Sequence, residues 1–108
     1  MKKLQKKVKK FIKKHKLEHK AEVIALDLVS EIGEVAKEIL ESSKYGRKKP
    51  KSTQHLKEEL GDAFYSLINL ANHFDIDLES ALNLVLKKYK QRIKKKGTAS
   101  SKPLSRKN

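Results

Sequence analysis

Two short acidic motifs, Glu31-Ile32-Gly33-Glu34 and Glu59-Leu60-Gly61-Asp62, hold the residues of this 108-residue chain whose types and spacing could do chemistry. Each places two carboxylates three positions apart. On a helix such a pair stands about 5–6 Å apart on one face and repels unless a cation lies between its members. On antiparallel neighbouring helices, Glu31, Glu34, Glu59 and Asp62 would surround one point. Oxygen-only ligands of high negative charge suit Mg²⁺, with Mn²⁺ as the alternative, better than zinc. The glycine in each motif costs a helix interior about 1 kcal/mol relative to alanine. It also removes a side chain, which lets a helix or a ligand come close. The plain alternative for any one Glu-x-x-Glu is a solvated helix face.

The motifs belong to longer stripes. Asp27, Glu31, Glu34, Glu38 and Glu41 follow one another in steps of four and three, as do His55, Glu59, Asp62, Ser66 and Asn69. Both sets trace one face of a helix, and lysine is nearly absent from them. A face made only for solubility would mix the signs. The four histidines, His15, His19, His55 and His73, have no metal-ligand spacing among them, so surface or core-edge roles are expected.

The elements that must position these residues are helices. Leu4, Val8, Phe11, Ile12 and His15 make one face of a first amphipathic segment over 2–16. A second runs from about Ala21 to Ser42, with Leu28, Ile32, Val35 and Ile39 at helical spacing. The stretch SSKYGRKKPKSTQ, with Gly46 and Pro50, breaks it. Ser52 or Thr53 is placed to cap a third helix, carrying Leu56, Leu60, Phe64, Leu67 and Ala71 to about Phe74. Asp77 is placed to cap a fourth through Ala81, Leu82, Val85, Tyr89 and Ile93. No stretch alternates like a half-buried strand. The expected fold is all-α, an antiparallel four-helix bundle over residues 1–96, with a basic tail over 97–108 that lacks an apolar period.

Composition narrows the classes. The absence of cysteine excludes a disulfide framework and a thiolate metal site. The apolar runs are far shorter than the about 20 residues needed to span a bilayer, and lysines interrupt the opening residues as no signal peptide allows. A cytoplasmic protein without membrane partners is expected. The formal charge of +14 is unevenly spread: residues 1–20 carry ten lysines and one acid, residues 86–108 ten basic residues and no acid, and residues 21–85 twelve acids against seven basic residues. The alternative function is therefore a non-catalytic basic module that binds nucleic acid, or a protein partner. The acidic centre would repel a polyanion, and neither a recognition helix nor an aromatic platform is visible, so nucleic acid is not expected as the main partner. Long-range steering of an anionic substrate fits the same charges.

With its flanks, DLVSEIGEVAKE, EELGDAFYSLINLANHFDIDLESAL and KKYKQRI, the paired motif resembles the MazG-like nucleotide pyrophosphohydrolases of the all-α NTP pyrophosphatase superfamily. Their signature is Glu-x-x-Glu, a variable spacer and Glu-x-x-Asp; here 24 residues separate Glu34 from Glu59. The resemblance implies hydrolysis of a nucleoside triphosphate to the monophosphate and pyrophosphate with Mg²⁺, as nucleotide-pool house-cleaning. It implies Glu31, Glu34, Glu59 and Asp62 as metal ligands, and Glu34 or Glu38 as the base that takes a proton from the attacking water. Lys88 and Arg92 would meet the departing pyrophosphate, with loop 44–51 as a further candidate. Tyr65 and Asn69 are candidates for base or sugar contacts, and a homodimer or homotetramer is implied. Two departures bear on base selectivity. Leu17 stands near where many relatives carry a tryptophan, and Leu86 where an asparagine is frequent.

Overall fold

Helical periodicity without a strand pattern becomes four α-helices in the computed structural model of the chain, which describes residues 1–96: α1 (Lys2–Lys14), α2 (Ala21–Ser42), α3 (Gln54–His73) and α4 (Leu78–Lys96). Among the described residues there is no strand. The expected tail over 97–108 lies outside them. The bounds of α2 are those expected. The first helix stops earlier than expected, and Lys16, at φ 54°, turns the chain out of it through the left-handed region. Of the two candidate caps for α3, Thr53 is the one used: its Oγ1 accepts from the Leu56 N–H at 2.9 Å. At the far end of α2, Lys44, Tyr45 and Gly46 all have positive φ, 49°, 59° and 89°. This reversal leads toward α3.

The closest pairing is between α2 and α3, and α1 lies against α3. Both pairings are antiparallel, as their cross-contacts require. Glu38 meets Thr53 and His55 near one end of the α2–α3 pair, while Glu31 gathers with Glu59 and Asp62 further along. On the other side of α3, Phe11 sets its ring edge-on to Tyr65 and Gln5 bonds Asn72. A polar latch joins the first, third and fourth helices. Gln5 is buried at 8 % exposure. Its Nε2 donates to Asn72 Oδ1 at 3.0 Å and to the Ile76 carbonyl at 2.8 Å. Its Oε1 accepts the first N–H of α4, that of Leu78, at 2.9 Å. Asn72 Nδ2 returns a bond to the Gln5 carbonyl at 2.8 Å. Asp77 caps α4 as expected, though with a long 3.4 Å bond from the Ser80 N–H.

The buried apolar residues among those described are few: Ile12, Ile24, Ile68 and Ala71. Much of the apolar periodicity instead lies open. Ile32, Ile39, Leu60, Phe64 and Leu67, which the spacing places on core-facing stripes, are exposed, and so are Leu82, Tyr89 and Ile93 of α4. The reason is geometric. Beyond its latched start α4 stays apart from the paired helices, and an apolar cavity of about 350 Å³ opens between Phe64 and Leu67 on one side and Leu78, Ala81, Leu82 and Val85 on the other. The Cα radius of gyration, 17.5 Å, exceeds the roughly 12–13 Å of a closed domain of this length. A single chain thus folds its elements without covering them.

Candidate metal and nucleotide site

The site is built on the shafts of α2 and α3. Glu31 comes from the middle of α2, Glu59 and Asp62 from the first half of α3, and one carboxylate oxygen of each lies within 4.8 Å of the other two. Glu31 and Glu59 are half-buried and Asp62 is exposed. Partial burial, then the charges of Asp62, Glu59, Glu34 and Asp27, raise the Glu31 carboxyl above its ordinary value of 4.5. After burial, the like charges of neighbouring carboxylates favour the neutral form. A divalent cation would relieve their repulsion, and the all-oxygen donor set has the chemistry of a hard cation site.

Of the four carboxylates singled out from the sequence, the structure gathers three. Glu34 stands outside the group of three, exposed, one turn further along α2. Its charge is nonetheless close enough to act on Glu31. Spacing does not decide this, since Glu59 and Asp62, also three apart, both reach the cluster; the crossing of α2 against α3 does. Glu38 lies further along the stripe with both carboxylate oxygens engaged. Oε2 accepts from Thr53 Oγ1 at 3.0 Å, and Oε1 is 2.7 Å from His55 Nδ1. Those two bonds, His55 first, hold its carboxyl below the ordinary 4.5. In return, Glu38 raises His55 above its ordinary 6.5. The other ring nitrogen of His55, Nε2, is 3.4 Å from Glu59 Oε1. His55 thus touches the acid cluster, where sequence spacing had assigned it only a surface or core-edge role. The signal available was its place at the head of the second stripe, four residues before Glu59.

The remaining candidates make other contacts. The Tyr65 ring is half-buried and its centroid is 6.4 Å from that of Phe11. Asn69 lines a cavity of about 300 Å³ between α1, the α1–α2 joint and α3, with Lys9, Lys13, His19 and Asn72 around an Ile12 and Ile24 floor. On α4, the Lys88 ammonium and the Arg92 guanidinium lie 5.9 and 5.7 Å from the Tyr89 ring centre. No helix among the described residues is long and apolar enough to cross a membrane. A Cβ built at Gly33 or Gly61 would meet nothing within 4 Å. The close approach of helices expected at the two glycines is therefore not made within one chain, because α2 and α3 turn other faces toward each other.

Fold and site together define a class: an all-α protein with a cluster of carboxylates, suited to a hard cation, between two antiparallel helices. Residues 19–96, which take in α2, α3 and α4, match the family model of the MazG nucleotide pyrophosphohydrolase domain, and the chain belongs to that family. It is 39 % identical over 74 residues to the uncharacterized protein YpjD of Bacillus subtilis (strain 168), covering 66 % of this chain and 65 % of that protein. It is 40 % identical over 48 residues to the nucleoside triphosphate pyrophosphohydrolase/pyrophosphatase MazG of Thermotoga maritima, covering 44 % of this chain and 19 % of that one. It therefore spans less than two thirds of the length of either relative. Among solved structures, the Bacillus-conserved MazG protein, a nucleotide pyrophosphohydrolase, superposes with a TM-score of 0.68 at 34 % identity, over 82 % of this chain and 86 % of that one. Bacillus subtilis YpjD superposes with a TM-score of 0.70 at 35 % identity, over 85 % and 94 %.

Proposed function

We propose that the protein hydrolyses nucleoside triphosphates to the monophosphate and pyrophosphate in a Mg²⁺-dependent reaction, with Mn²⁺ able to substitute, as part of nucleotide-pool house-cleaning in the cytoplasm. The observation that carries this reading is the convergence of Glu31, Glu59 and Asp62 within 4.8 Å on facing helices, in a chain of a pyrophosphohydrolase family. Glu31, Glu59 and Asp62 hold the cation, and Glu34 completes the set as its neighbour on α2. When bound, the cation neutralises phosphate charge and acidifies water at the α-phosphorus.

The residues of the chain do the rest. A carboxylate takes the proton of the attacking water as its oxygen bonds to the α-phosphorus, and the bond to the α–β bridging oxygen breaks. Glu34 suits this role better than Glu38, because both oxygens of Glu38 are engaged and its proton affinity is lowered. Lys88 and Arg92 of α4 receive the departing pyrophosphate, and Asn69 and Tyr65 face the base or sugar. The working form is a homodimer or homotetramer. The exposed apolar residues Ile32, Leu60, Phe64 and Leu67 adjoin the acid cluster along α2 and α3, and cover from a second copy would remove them from water.

The test is pyrophosphate and orthophosphate release from a panel of ribo- and deoxynucleoside triphosphates, with Mg²⁺ and with EDTA. Metal-dependent pyrophosphate without orthophosphate is expected, and the pair Glu34→Gln with Asp62→Asn should abolish it. Retained release in that double variant would refute the site assignment.

A further inference from the structure

Among the described residues, His55 touches both the acid cluster and the stripe outside it, and the contacts around it run in series. The Leu56 N–H is bonded to Thr53 Oγ1 at 2.9 Å, and that hydroxyl donates to Glu38 Oε2 at 3.0 Å. Glu38 Oε1 is 2.7 Å from His55 Nδ1, and His55 Nε2 is 3.4 Å from Glu59 Oε1. Glu38 is therefore clamped from α3 by two residues of its N-terminal end, Thr53 and His55. Its side chain keeps only 13 % exposure although that of His55 is 63 % exposed. An exposed His–Glu pair on one helix would by itself contribute little. Here the ring is fixed at its far nitrogen by a carboxylate that is itself fixed. The contact to Glu59 is an ion pair longer than a full hydrogen bond, so the ring acts on that carboxylate through charge at close range.

We propose that His55 is a positioning residue of the cation site: braced through Nδ1 on Glu38, its ring holds the Glu59 carboxylate in the orientation in which it meets Glu31 and Asp62. The proposal rests on reading the acid cluster as a divalent-cation site. Carboxylates that bind metals are oriented by hydrogen-bonding partners behind them, and loss of such a partner weakens metal binding about 10–100-fold. Glu38 then acts through His55 and not as a ligand.

The experiment is a Mn²⁺ titration of the full chain without nucleotide, followed by electron paramagnetic resonance, for wild type, His55→Ala, Glu38→Ala and the double variant. Thermal melts of the metal-free proteins serve as the control for folding. His55→Ala should weaken Mn²⁺ binding about 10-fold or more, and Glu38→Ala should weaken it less. The double variant should be no worse than His55→Ala, because the brace has nothing left to hold. Unchanged affinity in His55→Ala overturns the proposal. So do additive losses, which would make Glu38 a contributor in its own right. If His55→Ala fails to fold, His55→Gln replaces it. Its side-chain amide reaches toward Glu59 but cannot brace on Glu38 at the same time, so a several-fold loss is expected and wild-type affinity would overturn the proposal. A folded wild type that binds no Mn²⁺ would instead overturn the cation site itself, and the role of His55 with it.

Discussion

Replacing Gln5 with alanine should unsettle this fold strongly. The side chain makes three bonds, to Asn72 Oδ1, the Ile76 carbonyl and the Leu78 N–H, at 2.8–3.0 Å. Each contributes about 0.5–1.5 kcal/mol net, and their loss leaves partners partly shut off from water, so the change costs roughly 3 kcal/mol. That is a large share of the roughly 5–15 kcal/mol that holds a domain together. At about 4–8 °C per kcal/mol for a chain of this size, Tm should fall by roughly 12–24 °C. The assay is thermal unfolding followed by circular dichroism, with Asn72→Ala and the double variant alongside. Because the Gln5 amide donates to Asn72 Oδ1, a bond that both variants remove, the double variant should lose less than the sum of the singles. The latch also fixes the start of α4, which carries Lys88 and Arg92. A variant that still folds at low temperature should therefore lose kcat/KM while keeping its metal affinity. A Tm within about 2 °C of wild type would refute the reasoning, since three native bonds of ordinary worth cannot vanish so cheaply.

Stability should also follow pH in a defined way when EDTA keeps the site free of metal. The raised His55 contributes stability that is complete below its ordinary 6.5 and is lost as pH climbs through its higher folded value. The lowered Glu38 contributes stability that is complete above 4.5 and is lost as pH falls through its lower folded value. The pair is thus at full strength between 4.5 and 6.5. Tm should decline on the alkaline side in wild type and much less in His55→Gln; equal slopes would refute the assignment. The glycines make the third prediction. With nothing within 4 Å of a Cβ at either site, Gly33→Ala and Gly61→Ala should each gain about 1 kcal/mol of helix stability. Both should lose nucleotide turnover, because the open space lies beside the acids. A lowered Tm in dilute protein would mean that neighbouring atoms of the same chain stand where none are seen.

Much of this was legible in the sequence because it is local. The ends of α2 and the Thr53 cap follow from residues within a turn of one another, and the acidic stripes follow from steps of three and four. What was not legible spans distance. Gln5 reads as one polar residue among lysines until the fold brings it to Asn72 and Ile76, 67 and 71 positions away. His55 reads as a surface residue until Glu38, 17 positions back, crosses to it. Periodicity told which side of each helix is apolar but not what covers it, so Ile32 and Phe64 read as core and stand exposed. The same limit applies to Glu34. Spacing put it on the stripe with Glu31, while the crossing of α2 and α3 decided which carboxylates meet.

The antiparallel pairing of α2 with α3 keeps the acids on the helix shafts and leaves residues 43–53 as a turn at the tip. Its first half is fastened by bonds such as Tyr45 N–H to the Leu40 carbonyl at 2.7 Å and Lys48 N–H to the Ser43 carbonyl at 3.0 Å, while the stretch after Lys48 is held by the 3.3 Å contact of the Lys51 N–H with Ser42 Oγ. Lengthening such a connection costs only about 0.6 kcal/mol for each doubling. The tip is therefore a natural insertion point. A foreign peptide or a whole reporter domain grafted between Lys48 and Lys51 would ride at the end of the molecule while the carboxylates below kept their spacing, which makes this small helical chain a usable carrier.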